Sequence, residues 1–132
     1  MYSFKKKERL TSKKEIEKLF TEGNCFFIYP LKIYWIISDS DMTHPAQVLI
    51  SVSKRNFKKA VTRNILKRRI REAYRLNKNL LYKDLQDFGL NLCIAFIYTA
   101  GKISLYKEIE ASMIASIEKI ILKTCLKKSK NI

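Results

Sequence analysis

The residues with the clearest chemical potential are the cations between Ser53 and Lys78. This segment holds 11 Lys or Arg residues against one acid, Glu72, in a chain whose formal net charge is +15. Their guanidinium and ammonium groups bind phosphate oxygens, and Arg can do so with two parallel hydrogen bonds. Like charges at helical spacing repel one another unless an anion compensates them. The segment therefore predicts a polyanion-binding surface, with a merely solvated basic face as the alternative.

Side chains able to catalyse a reaction without a partner are few. The single histidine, His44, precedes Pro45 in a polar loop, where a role in the turn is the simpler interpretation. Asp39 and Asp41 form a D-x-D pair in the same loop that could touch a divalent ion, although Asp is common in loops for backbone reasons. Three glycines are too few to build a Gly-rich phosphate loop. We predict no catalytic residue and no metal site in this chain.

A second candidate surface combines aromatic residues with a lysine. Lys32 and Tyr34 alternate with the core-facing positions of a predicted strand, and Ile16 and Phe20 belong to a short predicted helix before it. An exposed ring beside cations suits single-stranded RNA, because bases stack on aromatic side chains with little sequence preference. The alternative is that the last helix covers this face and Tyr34 is a core aromatic with an exposed hydroxyl.

The basic segment is expected to form a helix from Ala60 to about Asn77, because it lacks Pro and Gly and is rich in helix formers. Helical periodicity gathers six polar residues, here called the cationic face: Asn64, Lys67, Arg68, Arg71, Arg75 and Lys78. An apolar arc on the other side is expected to pack on a sheet: Val61, Ile65, Leu66, Ile70, Ala73, Tyr74 and Leu76. The loop before the helix adds four cations to the predicted contact: Lys54, Arg55, Lys58 and Lys59.

Periodicity and turn residues place the other elements. Ser12 and Glu15 match a capping box that starts a short helix ending at Gly23. Four strands are expected, over residues 25–28, 31–38, 46–53 and 90–98. The second and third are expected to pair as a hairpin, and the fourth, apolar on both faces, is expected to be central in the sheet. A last helix, capped by Ser104, carries an apolar stripe for the core.

Length and composition fit a single domain over residues 1–132, with residues 1–10 and 124–132 as flexible basic ends. A hydrophobic content of 47% is enough for a packed core. Three cysteines without C-x-x-C spacing are expected to be reduced and buried: Cys25, Cys93 and Cys125. Neither a signal sequence nor a membrane-length apolar run is present, so we expect a cytoplasmic protein without a membrane partner.

These motifs resemble those of the protein subunit of bacterial ribonuclease P. The likeness rests on the stretches SVSKR, AVTRN and LKRRIREAYR, in register with that family's Arg-Asn-Arg helix, and continues through the first helix with Phe20 and Gly23. The third position of the signature is usually Arg and is Ile65 here. Helical periodicity puts position 65 on the apolar arc, so the cationic face is kept while one RNA contact is expected to be missing.

The resemblance implies an α/β fold of the α+β sandwich type, in the order α-β-β-β-α-β-α, with a small mixed sheet packed by helices. It also implies a left-handed crossover through the basic helix, against the general statistics for βαβ units.

The resemblance further implies an accessory role within an enzyme. The RNA subunit, with Mg²⁺, removes the 5′ leader of precursor tRNA, while the protein binds the leader and the catalytic RNA and itself holds no metal tightly. On this chain the catalytic RNA would contact Arg63, Asn64, Lys67, Arg68 and Arg71, and charge extends this set to Arg75 and the four loop cations. The leader would lie in a groove at Ile16, Phe20, Lys32 and Tyr34. No protein oligomer is required.

Three other functions stay open from the residues alone. Another RNA-binding module, ribosomal or specific for double-stranded RNA, would use the same helix but bind precursor and mature tRNA alike. A protein-only nuclease would place a metal on Asp39 and Asp41. A peripheral membrane protein would use the last helix and its lysines.

Overall fold

The computed structural model describes residues 4–39 and 44–126. Within these ranges the elements are α1 (Lys13–Glu22), β1 (Asn24–Ile28), β2 (Leu31–Ile37), β3 (Ala46–Val52), α2 (Ala60–Phe88), β4 (Leu92–Tyr98) and α3 (Tyr106–Ile121). A 3₁₀ turn over Lys6–Glu8 precedes α1, and a π-helical turn over Leu122–Leu126 follows α3. The predicted order of helices and strands is confirmed.

The four strands form one mixed sheet in the order β1-β2-β4-β3. β1 with β2 and β2 with β4 are antiparallel, whereas β3 and β4 are parallel. The predicted hairpin between β2 and β3 is wrong, because β4, apolar on both faces, takes the inner position between them. The hairpin is instead β1–β2, closed by Tyr29 and Pro30 with a cis peptide bond. β3, α2 and β4 form a βαβ unit, and its left-handed sense stays a prediction.

Side-chain alternation along the strands separates two hydrophobic cores. On one face, α2 and α3 cover buried residues of β2, β3 and β4, among them Ile33, Val48 and Phe96. On the other face, α1 places Leu19 against Cys93 and Ala95 of β4. The apolar stripe of α3 is confirmed as core: Ile109, Met113, Ile117 and Ile120.

Both long helices differ from their predicted limits. α2 continues to Phe88 because Leu81 and Leu85 extend its buried side, and Gly89 ends it in the left-handed conformation with φ 63°. α3 has Leu105 as its N-cap, whose N–H donates to the Glu108 carboxylate at 3.0 Å. Ser104, the predicted cap, is buried and donates its N–H to the Tyr98 hydroxyl at 2.8 Å.

The N-terminal segment, expected to be flexible, is packed from Phe4 onwards. Leu10 N–H donates to Val48 O at 2.9 Å, and Arg9 forms a bridge to the same residue. Glu8 is only 1% exposed and accepts hydrogen bonds from Lys78 Nζ, from Tyr82 OH at 2.7 Å and from Lys5 N–H at 2.6 Å. Three donors satisfy the buried carboxylate, so this segment is fixed to α2.

The cysteines and the C-terminal end differ in part from what the sequence predicts. Cys25 is exposed, because it lies on the edge strand β1, whereas Cys93 and Cys125 are buried as expected. At the other end, Thr124 and Cys125 are buried rather than flexible, and residues 127–132 lie outside the described residues.

Candidate nucleic-acid interface

The cationic face is built by the way α2 packs. Leu66, Ile70 and Tyr74 are fully buried against the sheet and α3. Their burial turns the predicted RNA-contacting residues outward: Asn64 and Arg68 are exposed, and Lys67, Arg71 and Arg75 are half-buried. A long cation in this position lays its aliphatic stem on the protein and presents its charge to solvent.

Arg63, a predicted RNA contact, and Lys78, a predicted member of the cationic face, both have internal partners. Arg63 Nη1 donates to Phe57 O at 2.7 Å and to Lys58 O at 2.9 Å, so Arg63 holds the loop that leads into α2. Lys78 is buried in the ion pair with Glu8 and does not belong to the exposed face. Sequence periodicity placed Lys78 correctly on that side of the helix, but it contained no information about the residue that covers it.

Arg75 is paired on its own helix. Its Nη2 lies 2.6 Å from Glu72 Oε1, and the hydrogen bond lowers the pKa of the Glu72 carboxyl. A pair of this kind, three residues apart on a solvated surface, contributes little to stability. Arg75 can therefore exchange this partner for a phosphate at small cost.

The loop before α2 presents its cations on a fixed frame. Lys54, Arg55, Lys58 and Lys59 are all exposed. Phe57 between them is buried, with its ring centroid 5.9 Å from that of Tyr98. Together with the Arg63 bonds, this anchor orders the loop before any ligand binds.

The predicted apolar arc is wider than the buried side of the helix. Val61 is 70% exposed, Ile65 is 37% exposed, and Leu76 is also exposed. The side of α2 that packs on the core carries Leu66, Ile70 and Tyr74. Val61 and Ile65 lie on the opposite side of the helix. Ile65, at the third position of the helix signature, therefore faces solvent three residues before Arg68, and not the core.

The packed N-terminal segment brings more cations to this region. Arg9 and Arg71 line the same cavity of about 180 Å³, together with Phe4 and residues of β3. The Arg9 guanidinium lies 5.6 Å from the centre of the Phe4 ring, which holds it in place. This arrangement was not predicted from the sequence, in which the one available signal was Glu8, a single acid within a basic run.

The predicted groove residues are brought together on the opposite face of the sheet. The rings of Phe20 and Tyr34 meet edge to face, with centroids 4.7 Å apart. Lys32 Nζ lies 5.3 Å from the centre of the Tyr34 ring, and the hydrogen bond between the two side chains raises the pKa of Lys32. Ile16 packs at the base of the groove. The alternative in which α3 covers Tyr34 is wrong, because α3 packs on the other face.

A cavity of about 390 Å³ lies at the other end of α1, against β2 and β4. Lys14 and Lys18 of α1 line it, together with Asp39 and the buried Cys93. Burial, with Glu15 nearby, raises the pKa of Cys93 to about 11. The thiol is therefore protonated and contributes no nucleophile to this cavity.

The candidate catalytic and metal-binding residues are not assembled into a site. Asp39 is exposed and His44 half-buried, while Asp41 lies outside the described residues. In residues 4–39 and 44–126 no three His, Cys, Asp or Glu side chains come together as a metal site requires. Across the same residues, the helices are too short or too polar to cross a membrane.

Comparison with known proteins gives one consistent result. The family model described as Ribonuclease P matches residues 4–120. The ribonuclease P protein component of Porphyromonas gingivalis is 36% identical over 119 residues, which cover 90% of this chain and 87% of that protein. That of Chlorobium phaeobacteroides is 38% identical over 108 residues, covering 76% of this chain and 74% of the relative.

Solved structures agree on the fold. The RNase P protein of Staphylococcus aureus superposes with a TM-score of 0.67 at 23% identity, covering 86% of this chain and 94% of that one. The RNase P protein of Thermotoga maritima superposes with a TM-score of 0.66 at 19% identity, covering 85% and 96%. The α+β architecture described above is therefore shared with these proteins.

Proposed function

This chain belongs to the ribonuclease P protein family, and from that premise we propose that it binds two RNAs, the catalytic RNA through α2 and the 5′ leader of precursor tRNA through the groove beside α1. As a ribonuclease P protein component it is part of an enzyme complex of tRNA processing and a partner of ribonuclease P RNA. In the proposal the RNA hydrolyses the phosphodiester with Mg²⁺ held on RNA, and the protein contributes binding and no catalytic residue.

One observation carries the proposal: two surfaces suited to RNA lie on opposite sides of one sheet. The cationic face belongs to α2, which packs on one side, and the Phe20–Tyr34 contact belongs to the side covered by α1. A protein with this arrangement can touch two RNA segments at once. Because both segments are polyanions, a chain of net charge +15 between them lowers their mutual repulsion, and the benefit is greatest when Mg²⁺ is scarce.

The two surfaces would hold RNA by different interactions. Arg68 and Arg71 of α2 would form forked hydrogen bonds to phosphate oxygens, releasing counterions on binding. In the groove, a base would stack on the Tyr34 and Phe20 rings while Lys32 meets the neighbouring phosphate. Stacking on a protein aromatic contributes about 1–3 kcal/mol per base.

The test is cleavage of a leader-bearing precursor tRNA at low Mg²⁺ by the protein, by the catalytic RNA and by the mixture. Cleavage that requires the mixture supports an accessory subunit. Cleavage by the protein alone would overturn the proposal and direct attention to Asp39, Asp41 and His44. If the mixture binds mature tRNA as tightly as it binds precursor tRNA, the proposed leader contact is wrong.

A further inference from the structure

The β1–β2 hairpin exposes two aromatic side chains that the proposed function does not use. Phe27 is 55% exposed and Tyr29 is 49% exposed. Their rings meet edge to face, with centroids 6.4 Å apart. Single exposed apolar residues are common on protein surfaces, but two adjoining rings form a patch that suggests a binding surface.

The strand register connects this pair to the leader groove. Phe27 is directly opposite Lys32, and Cys25 is opposite Tyr34. Directly opposed residues of antiparallel strands project from the same face of the sheet. Phe27 therefore shares the face of Lys32 and Tyr34, roughly 7 Å further along the strands at about 3.3 Å per residue.

The result is a continuous row of rings with one ammonium group in its middle. Phe20 contacts Tyr34, Lys32 lies over the Tyr34 ring, Phe27 is the cross-strand neighbour of Lys32, and Phe27 contacts Tyr29. A positive charge between stacking surfaces suits a single strand, in which a phosphate lies between successive bases.

The hairpin is held rigidly from its other side. Ile28 O accepts a hydrogen bond from Ser112 Oγ of α3 at 2.7 Å, and Pro30 O accepts one from Thr99 N–H at 3.0 Å. Phe26, next to Phe27 along β1, is buried in the main core. Exposed rings on a fixed backbone lose little entropy when a ligand binds.

We propose that Phe27 and Tyr29 form a second stacking platform that lengthens the leader groove and takes roughly two further unpaired bases of the RNA leader. The ligand of this surface should be an anion, because Lys32 lies within the row of rings. A second copy of this chain does not fit, since two chains that each carry a net charge of +15 repel each other. Among anions, single-stranded RNA fits best, since its bases supply the flat apolar surfaces that the four rings require. This inference rests on the proposed function.

The experiment measures the affinity of the reconstituted holoenzyme for precursor tRNAs whose leaders increase in length nucleotide by nucleotide. With wild-type protein, affinity is expected to rise and reach a plateau. With Phe27→Ala and Tyr29→Ala combined, the plateau comes about two nucleotides earlier, and long-leader substrate binds about thirtyfold more weakly. Short-leader precursor and mature tRNA are unaffected.

Two further variants serve as controls. Phe27→Trp with Tyr29→Phe keeps both rings and should bind like wild type. Leu122→Ala removes a side chain of matched exposure, 57%, at the end of α3 and should also leave the length profile unchanged.

The outcomes separate the two proposals. If wild-type holoenzyme shows no dependence on the leader, the proposed function and this inference both fail. If wild type depends on the leader but the double alanine variant follows the same length profile, the leader groove stands and the second platform is overturned. An equal loss of affinity for mature tRNA in the double alanine variant would also overturn it. So would a double alanine variant that binds the leader normally but no longer binds vesicles of anionic lipid.

Discussion

The cationic face of α2 and the aromatic groove beside α1 differ in how the chain builds them. The cationic face is local, since a single helix, α2, supplies all its side chains. The groove is assembled from separate elements, with Phe20 on α1 and Tyr34 on β2. RNA binding by the cationic face should therefore depend on salt concentration and on charge, whereas RNA binding by the groove should depend on individual aromatic rings. Four variants test this difference between the two surfaces.

The largest effect is expected at Glu8, a residue of the N-terminal segment that pairs with Lys78 of α2. Glu8→Gln leaves the Lys78 ammonium buried without its counter-charge, and loss of one partner of a buried pair costs about 3 kcal/mol of unfolding free energy. Urea unfolding at pH 7 measures this loss. Glu17→Gln, the same change on an exposed residue of α1, is the control and should cost almost nothing. A Glu8→Gln protein as stable as wild type would mean that the N-terminal segment is not held by this pair.

The same pair predicts how stability depends on pH. Burial alone raises the pKa of Glu8, but hydrogen bonds from Lys78, Lys5 N–H and Tyr82 outweigh it and leave the pKa below its ordinary value of 4.5. Because the folded-state pKa is depressed, the contribution is complete above about pH 4.5 and is lost as the pH falls through the folded-state value. Wild type should therefore lose stability in this acid range more steeply than Glu8→Gln does.

The second variant tests the charge-based surface. Arg68→Gln with Arg71→Gln is expected to weaken assembly with the catalytic RNA about a hundredfold at low salt, since bonds to charged groups contribute about 1.5–3 kcal/mol each. The plot of log affinity against log salt should become shallower by about two units, roughly one for each lost phosphate contact. Filter binding over a salt series measures both quantities.

A matched control removes the same charge elsewhere. Lys102→Gln with Lys107→Gln removes two exposed cations, one just before α3 and one on α3, that are outside the set predicted to contact RNA. It should leave the salt slope nearly unchanged. Equal effects of the two double variants would mean that total charge, and not its position on α2, drives assembly.

The third variant tests the groove. Tyr34→Ala removes the ring that contacts both Phe20 and Lys32 and is expected to weaken binding of leader-bearing precursor about tenfold. Mature tRNA should bind as before, and the salt slope should stay the same, because no cation is removed. Tyr34→Phe keeps the stacking surface and should retain most of the affinity. A loss shared equally by precursor and mature tRNA would contradict the groove assignment.

The same contrast explains which features the sequence could predict. Features that depend on neighbours three or four residues away, such as the Ser12 cap, the Gly23 stop and the buried line of α2, follow from local spacing. Features decided by distant partners do not. Lys78 has the spacing of an exposed cation and is buried because Glu8, 70 residues earlier, reaches it.

The sheet shows this limit most clearly. The apolar faces of β4 correctly predicted an inner position in the sheet, but nothing within β2 or β3 indicates that β4 separates these two strands. Ser104 has the residue type of a helix cap, yet it is bound by Tyr98 of β4. The groove was predictable in its residues because alternation placed Tyr34 on the second face, but its neighbour Phe27 joined it only through the β1–β2 register.

The smallest expected effect comes from the position where this chain departs from its family's signature. Ile65 is 37% exposed beside the cationic face, so Ile65→Arg fits without disturbing the core and adds one cation three residues before Arg68. Assembly with the catalytic RNA should tighten a few-fold, and the salt slope should become steeper by about one unit. Ile65→Gln, equal in polarity but uncharged, should do neither, and leader-length dependence should not change in either variant. If Ile65→Arg instead weakens assembly, the exposed Ile65 makes an apolar contact in the complex. RNA binding by α2 would then depend on side-chain shape as well as on charge.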